Sequence, residues 1–129
     1  MKILNRTGKR IFNYYGLTET TGFCIGESLN STNFKGNNIG APVDCIVQIV
    51  DEKNQIVNTD EIGELRIYSY SISEGYYDTE NSGIQKWFYT GDLVKMNTSG
   101  TIELMGRNND FIKNARSEIV YYKEIEDVL

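Results

Sequence analysis

Short segments of alternating apolar and polar residues, separated by turn-forming residues, most strongly constrain how this chain folds. Residues 43–50 are rich in β-branched side chains and partly alternate, and residues 63–68 alternate with a period of two. Two further apolar segments flank the sequence Asn-Thr-Ser-Gly at residues 97–100, which predicts a β-hairpin. Only residues 122–129 have apolar side chains at helical spacing. The pattern therefore predicts an α+β chain that is mostly β, with one terminal helix.

The composition excludes several classes of function. The 129 residues carry a formal charge of −5 and no basic run, which disfavours nucleic-acid binding. The sequence contains no histidine, so Ser-His and Cys-His catalysis and histidine metal sites are excluded. No stretch is long enough to span a bilayer. Cys24 and Cys45 match no metal-binding spacing, and we expect buried thiols in a reducing cytoplasm.

Residues 13–22 carry the chemical groups of a nucleotide site. Two tyrosines, the second of them Tyr15, precede Gly16, a residue that permits a positive φ or a close backbone approach. Three threonines surround Glu19. An aromatic ring can stack on a base, hydroxyls can donate to an anion, and a carboxylate can bind Mg²⁺. The alternative is a polar loop, and the Asn, Ser and Gly content of residues 23–40 predicts a surface loop after it.

Two later segments place charged side chains next to glycines. Asp92 follows Thr90 and Gly91, which predict a turn before a strand. Its carboxylate either accepts hydrogen bonds from vicinal ribose hydroxyls or only satisfies that turn. Residues 106–110, with the sequence Gly-Arg-Asn-Asn-Asp, form either a hinge that presents Arg107 to a ligand or an ordinary connecting loop.

In their order and spacing these motifs resemble the adenylate-forming ligase superfamily, which comprises acyl-CoA synthetases, adenylation domains of nonribosomal peptide synthetases and luciferases. The matching segments are YGLTET at 15–20, GEL at 63–65, EGY at 74–76, YTGDL at 89–93, GR at 106–107 with Asp110, and EIE at 124–126. The resemblance implies a distorted antiparallel β-barrel-like subdomain of a partial AMP-binding large domain over residues 1–106. It implies the hinge and first helix of a small C-terminal domain over residues 107–129.

The resemblance also implies a role for each residue that occupies a motif position. Tyr15 would stack on the adenine, and Gly16 would lie against the acyl-adenylate. Thr18 would bind the α-phosphate, and Glu19 would hold Mg²⁺. Asp92 would bind the ribose hydroxyls. A hydroxyl, a cation and Mg²⁺ suit the negative charge that gathers when a carboxylate attacks the α-phosphate.

Three later positions complete the implied site. Arg107 would assist at the ribose, Asp110 would be the hinge between two half-reactions, and Lys113 would act in the second. The implied activity is that of an ATP-dependent ligase, with ATP or AMP and Mg²⁺ as cofactors. Such a ligase activates a carboxylic acid as an acyl-adenylate and transfers it to a thiol, either coenzyme A or the phosphopantetheine of a carrier protein.

The sequence also departs from the family. Members run to several hundred residues, and this chain lacks their Ser/Thr/Gly-rich phosphate loop, most of the acyl pocket and the C-terminal catalytic lysine. The glycine expected near Arg116 and the proline expected near Tyr121 are replaced. We therefore expect a cytoplasmic fragment that is catalytically incomplete alone and whose partner would be a complementary fragment carrying the phosphate loop. The alternative is a non-enzymatic β-rich binding module derived from such an enzyme.

Overall fold

The computed structural model describes residues 11–30, 36–73, 87–109, 111–113 and 119–121. Within these residues the chain forms nine strands and one 3₁₀ turn, Thr18–Thr20. The strands are β1 (Tyr14–Leu17), β2 (Gly22–Gly26), β3 (Asn38–Pro42), β4 (Ile46–Val50), β5 (Ile62–Tyr68), β6 (Phe88–Met96), β7 (Ile102–Arg107), β8 (Phe111–Lys113) and β9 (Ile119–Tyr121). In this part of the chain no helix is long and apolar enough to cross a membrane.

The first seven strands form one antiparallel sheet, in the order β1-β2-β3-β7-β6-β5-β4. Strands β8 and β9 form a separate antiparallel pair. The predicted mostly β fold is therefore confirmed. The predicted helix at residues 122–129 lies outside the described residues.

The sheet must curl, because β3 and β4 are consecutive in the chain but far apart in the strand order. Three strands separate them in the sheet, so a flat sheet would place them about 19 Å apart. The connection from Pro42 to Ile46 has three intervening residues and spans about 14 Å at most. Within this connection the N–H of Val43 and the thiol of Cys45 both donate to the carbonyl of Cys24, on β2. The curl produces the barrel-like form that the resemblance implied.

The concave side of the curled sheet holds the hydrophobic core. Strand β5 shows the predicted alternation, since Leu65 and Ile67 are fully buried while Glu64, Arg66 and Tyr68 are only half-buried. Burying each of these two aliphatic side chains contributes about 1.5–3 kcal/mol. The buried core residues come from six strands: Cys24, Ile25, Ile39, Ile49, Leu65, Ile67, Val94 and Ile102. One core therefore unites both ends of the sheet.

The hairpin predicted at residues 97–100 joins β6 to β7. The Oδ1 atom of Asn97 accepts hydrogen bonds from the N–H groups of Ser99 and Thr101, at 3.0 and 3.2 Å. Gly100 has a φ of 78°, a left-handed conformation that costs a glycine little. The turn chemistry read from the sequence therefore fixes the register of these two strands.

The prediction that residues 23–40 form a surface loop is wrong at both ends. Residues 22–26 form β2, which pairs with β1 and β3, and residues 38–42 form β3, which pairs with β2 and β7. The Asn- and Gly-rich composition predicts a loop because these residues have a weak intrinsic preference for strands. Pairing on both sides nevertheless stabilises the two segments as strands. Both cysteines are free, with Cys24 buried as expected and Cys45 half-buried.

Candidate functional site

The segment from Tyr15 to Gly22 is a tight strand–turn–strand unit and not the loop that was the alternative. Gly16 shows why the unit requires glycine at this position. A Cβ atom on Gly16 would lie 2.1 Å from the carbonyl oxygen of Gly22, far inside contact distance. The glycine is therefore required by a close approach of two backbones, one of the two reasons that the sequence suggested.

The 3₁₀ turn divides its threonines into different environments. Thr20 is buried, and its hydroxyl contacts the N–H and the carbonyl of Leu17 and the carbonyl of Gly22, at 2.8–2.9 Å. Thr18, at the start of the turn, is exposed. Thr20 is therefore committed to holding the turn, whereas Thr18 lies at the surface.

The segment after β5 anchors the same turn. The N–H of Ser73 donates to the backbone carbonyl of Glu19 at 2.8 Å, and the hydroxyl of Thr21 donates to the carbonyl of Ser71 at 2.9 Å. Thr21 has a φ of 53°, which places it in the left-handed region. These contacts fix the path of the chain at Glu19, which is half-buried.

Asp92 lies inside β6, so the prediction of a Thr-Gly turn before the strand is wrong. The strand is irregular at this point, and Gly91 has a φ of 73°. The N–H of Asp92 donates to the hydroxyl of Thr90 at 3.1 Å. Asp92 is only 4% exposed, so its carboxylate must find partners within the protein.

Arg107 is the first partner of that carboxylate. Gly106 and Arg107 belong to β7 and not to a connecting loop, and the register of β6 and β7 places Arg107 directly opposite Asp92. The Nε atom of Arg107 lies 3.1 Å from Oδ1 of Asp92. The aspartate is buried, but 61% of the arginine side chain is exposed.

Tyr15 is the second partner of the Asp92 carboxylate. Its hydroxyl donates to Oδ2 of Asp92 at 2.5 Å, although β1 and β6 are separated by three strands in the sheet order. The curl of the sheet makes this contact possible. Burial, followed by the hydrogen bond to Asp92, raises the pKa of the Tyr15 hydroxyl well above its ordinary value of 10.0. The phenol is therefore a donor throughout the physiological pH range.

Glu64 also contacts this region, and the sequence did not identify it as a site residue. Its Oε1 atom accepts a hydrogen bond from the N–H of Gly91 at 3.1 Å. The only signal was its place in the Gly-Glu-Leu segment at residues 63–65. Contact between this side chain and the irregular backbone of the next strand, 27 positions along the chain, could not be read from local pattern.

The remaining predicted residues are not placed in this cluster. Lys113 lies on β8, where it pairs with Ile119 of β9. Asp110 lies outside the described residues. Within the described part of the chain, no group of three or more Asp, Glu, Cys or His residues could hold a metal ion by itself. The structure thus assembles Tyr15, Asp92 and Arg107.

The sequence of this chain is similar to those of a known enzyme family. The family model described as AMP-binding enzyme matches residues 1–77. The NRPS-like tryptophan epimerase fscC of Fusarium equiseti is 31% identical over 93% of this chain and 9% of its own length. The long-chain-fatty-acid–CoA ligase of Yersinia pestis is 30% identical over 95% of this chain and 22% of its own length. The chain therefore spans less than a quarter of either relative.

Solved structures with the same fold include the o-succinylbenzoate coenzyme A synthetase of Bacillus subtilis. Its complex with the acyl-adenylate intermediate OSB-AMP superimposes with a TM-score of 0.84 and 26% identity, covering 99% of this chain and 27% of that one. Its complex with ATP and magnesium ion gives a TM-score of 0.83 at the same identity, covering 98% and 27%. The described fold is thus that of a β-rich part of an adenylate-forming enzyme.

Proposed function

The chain belongs to the AMP-binding enzyme family, and from this premise we propose that it forms the adenine- and ribose-binding side of an adenylate-forming site. Tyr15 stacks on the adenine, Asp92 accepts hydrogen bonds from the ribose hydroxyls, and Arg107 assists. The observation that carries the proposal is the buried carboxylate of Asp92, held by Tyr15 on one oxygen and by Arg107 on the other.

The Asp92 carboxylate has acceptor capacity left for two hydroxyls. An ionised carboxylate offers about four acceptor positions, of which Tyr15 and Arg107 occupy two. The two vicinal hydroxyls of a ribose match a pair of carboxylate oxygens in spacing and in donor character. Arg107, with most of its side chain exposed, is the member of the cluster that can move as the sugar enters.

The hydroxyl of Tyr15 links the two halves of this proposed subsite. Because it donates to Asp92, the ring of Tyr15 has a fixed direction before any ligand binds. A ring that is already ordered loses less conformational entropy when a base stacks on it. The same hydrogen bond thus orients the adenine platform and the ribose acceptor relative to each other.

The 3₁₀ turn would face the phosphates. Thr18 is exposed at its first position and would donate to the α-phosphate, and Gly16, which is also exposed, would lie against the acyl-adenylate. Glu19 would supply one carboxylate ligand to Mg²⁺, an ion that commonly binds one or two carboxylates together with substrate phosphates. When bound there, Mg²⁺ would neutralise charge on the phosphates. The contacts of Ser71 and Ser73 with the turn hold these residues in position.

The activity of the whole enzyme is part of the same proposal. A carboxylic acid would attack the α-phosphate of ATP to give an acyl-adenylate and pyrophosphate. The thiol of coenzyme A or phosphopantetheine would then attack the acyl carbon to give a thioester, with AMP as the leaving group. The relatives named as a CoA ligase and as NRPS-like support this reaction class. The phosphate loop would come from polypeptide outside these residues, such as a complementary fragment. Asp110 would serve as the hinge between residues 1–106 and 107–129, and Lys113 would act in thiol transfer.

The proposal is tested by titrating the chain with AMP and with ATP·Mg²⁺, using calorimetry and NMR. Wild type should bind AMP with a Kd of about 1 mM, because the phosphate contacts are incomplete. Asp92→Ala should weaken binding at least about tenfold, the effect of losing hydrogen bonds to a charged group. Glu52→Gln removes an exposed carboxylate from the turn after β4 and should have no effect.

A second ligand makes the test specific for the ribose. An AMP analogue without the 2′- and 3′-hydroxyls should bind wild type as weakly as AMP binds Asp92→Ala. Removing both the hydroxyls and the carboxylate should cost no more than removing either, since the two changes delete one interaction. Absence of AMP binding by a folded wild-type chain would overturn the proposal and favour the alternative of a non-enzymatic β-rich binding module.

A further inference from the structure

The irregular segment of β6 that carries Asp92 depends on side chains for its hydrogen bonds. The register between β5 and β6 shifts between Glu64 and Arg66, and Gly91 takes a φ of 73°. The regular ladder is interrupted here. The N–H of Gly91 is instead bound by the Oε1 atom of Glu64 at 3.1 Å.

Three further hydrogen bonds hold this segment. The hydroxyl of Thr90 donates to the carbonyl of Leu65 at 3.0 Å and accepts from the N–H of Asp92 at 3.1 Å. The carbonyl of Gly91 accepts from the N–H of Asn108 at 2.8 Å. Of these contacts, only that of Glu64 uses an acidic side chain, and hydrogen bonds to ionised groups are about twice as strong as neutral ones.

Glu64 binds the backbone directly before Asp92, so this contact can influence the direction of the Asp92 side chain. Gly91 immediately precedes Asp92, so the φ and ψ angles of Gly91 set the direction in which the Asp92 side chain leaves the strand. A glycine adopts many backbone conformations at little cost, so it does not hold this orientation by itself. Thr90 and Asn108 hold the peptide between Gly91 and Asp92, and Glu64 holds the peptide between Thr90 and Gly91, so the φ and ψ angles of the glycine are constrained only when both sides are held.

Resting on the ribose site proposed above, we infer that Glu64 is a positioning residue for Asp92. Its carboxylate fixes the Gly91 N–H and thereby directs the Asp92 carboxylate toward the Tyr15 hydroxyl and the incoming ribose. Glu64 itself contacts Gly91 and makes no contact with the nucleotide. Its effect on binding passes entirely through the backbone of β6.

The experiment compares Glu64→Met with Glu64→Gln in the 129-residue chain. The two replacements are similar in length, but only glutamine keeps an oxygen that can accept from Gly91. Glu103→Gln is the matched control, because Glu103 lies on β7 of the same sheet and pairs with Lys95 at 3.5 Å. Two quantities are measured, namely the NMR resonance of the Tyr15 ζ-carbon, which reports its hydrogen bond to Asp92, and the affinity for AMP.

We expect Glu64→Met to shift the Tyr15 resonance and to weaken AMP binding by about tenfold, the effect of misdirecting one charged hydrogen-bonding group. Glu64→Gln should keep the resonance near its wild-type position and lose less than about threefold in affinity. A Tyr15 resonance and an AMP affinity that match the control in Glu64→Met would overturn the inference. If Glu64→Met does not fold, Glu64→Asp, whose shorter side chain withdraws the oxygen from Gly91, takes its place with the same expectations.

The two proposals can fail separately. If wild type does not bind AMP, the ribose site is wrong, and the Tyr15 resonance alone then decides whether Glu64 directs Asp92. If wild type binds AMP and Asp92→Ala does not, while Glu64→Met changes nothing, the ribose site stands and the role of Glu64 is rejected.

Discussion

The hydroxyl of Tyr15 and the Oδ2 atom of Asp92 lie 2.5 Å apart, although 77 positions separate the two residues in the sequence. This hydrogen bond joins β1 to β6 across the curled sheet. It connects the aromatic residue proposed to stack on the base with the carboxylate proposed to bind the sugar. Its removal should therefore affect both the stability of the sheet and the proposed nucleotide site.

Replacing Tyr15 with Phe removes the donor and leaves the ring. The buried Asp92 carboxylate then loses one of its two partners, so the free energy of unfolding should fall by about 1.5–3 kcal/mol. Urea denaturation measures the change. Tyr70→Phe is the control, because Tyr70 is 99% exposed and should change stability by less than about 0.5 kcal/mol. Equal effects of the two substitutions would show that the hydrogen bond to Asp92 contributes nothing.

Stability should fall in alkaline solution because of Cys24. Burial raises the pKa of this thiol from 9.0 to about 11. The unfolded chain therefore releases the proton first, so the contribution is complete below about pH 9 and is lost as pH rises toward 11. The slope is at most about 1.4 kcal/mol per pH unit for one group.

The alkaline slope is measured by urea denaturation at several pH values between about 8 and 11. Cys24→Ala should flatten the curve in this interval, leaving the smaller contribution of Cys45, whose pKa burial also raises. The raised pKa of Tyr15 adds a loss only above about pH 10, in the same direction. A Cys24→Ala variant with an unchanged slope would contradict the assignment.

Gly16→Ala should be strongly destabilising. The new Cβ would lie 2.1 Å from the carbonyl oxygen of Gly22, and only movement of the backbone could relieve the overlap. A loss of about 2–3 kcal/mol in the free energy of unfolding is expected, or failure to fold. Gly36→Ala is the control, since a Cβ there has open space and should change little. Thermal denaturation of the two variants, read by circular dichroism, makes the comparison.

Gly91→Ala and Gly100→Ala form a matched pair that separates stability from binding. Both glycines have φ near 75°, at 73° and 78°, and neither Cβ would meet an atom within 4 Å. Each substitution should therefore cost about 1–2 kcal/mol of conformational strain. Only Gly91→Ala should also weaken AMP binding, because Gly91 precedes Asp92 whereas Gly100 lies in the hairpin turn. Similar AMP affinities for the two variants would contradict the proposed coupling of Gly91 to the ribose site.

Local features of the sequence were sufficient for much of the fold. The alternation of residues 63–68 fixed which side chains of β5 face the core, because successive residues of a strand point to opposite faces. The hairpin at 97–100 was equally predictable, since the Asn97 side chain and Gly100 favour a turn in any context. The order and spacing of the motifs also resemble those of the adenylate-forming superfamily, and the match to the AMP-binding family confirms this resemblance.

The sequence by itself determined the alternation of β5 and the hairpin at 97–100, both of which depend on neighbours along the chain, and it carried the motifs that resemble the superfamily. Only the tertiary structure decided that residues 22–26 and 38–42 are strands, that Asp92 lies within β6, and that Glu64 contacts Gly91. The contact of Tyr15 with Asp92 was likewise decided only by the tertiary structure. These features arise from pairing between distant strands and from the curl that a three-residue connection imposes on seven strands. Such non-local constraints leave no periodic trace in the sequence, because their energy comes from partners that local pattern does not specify.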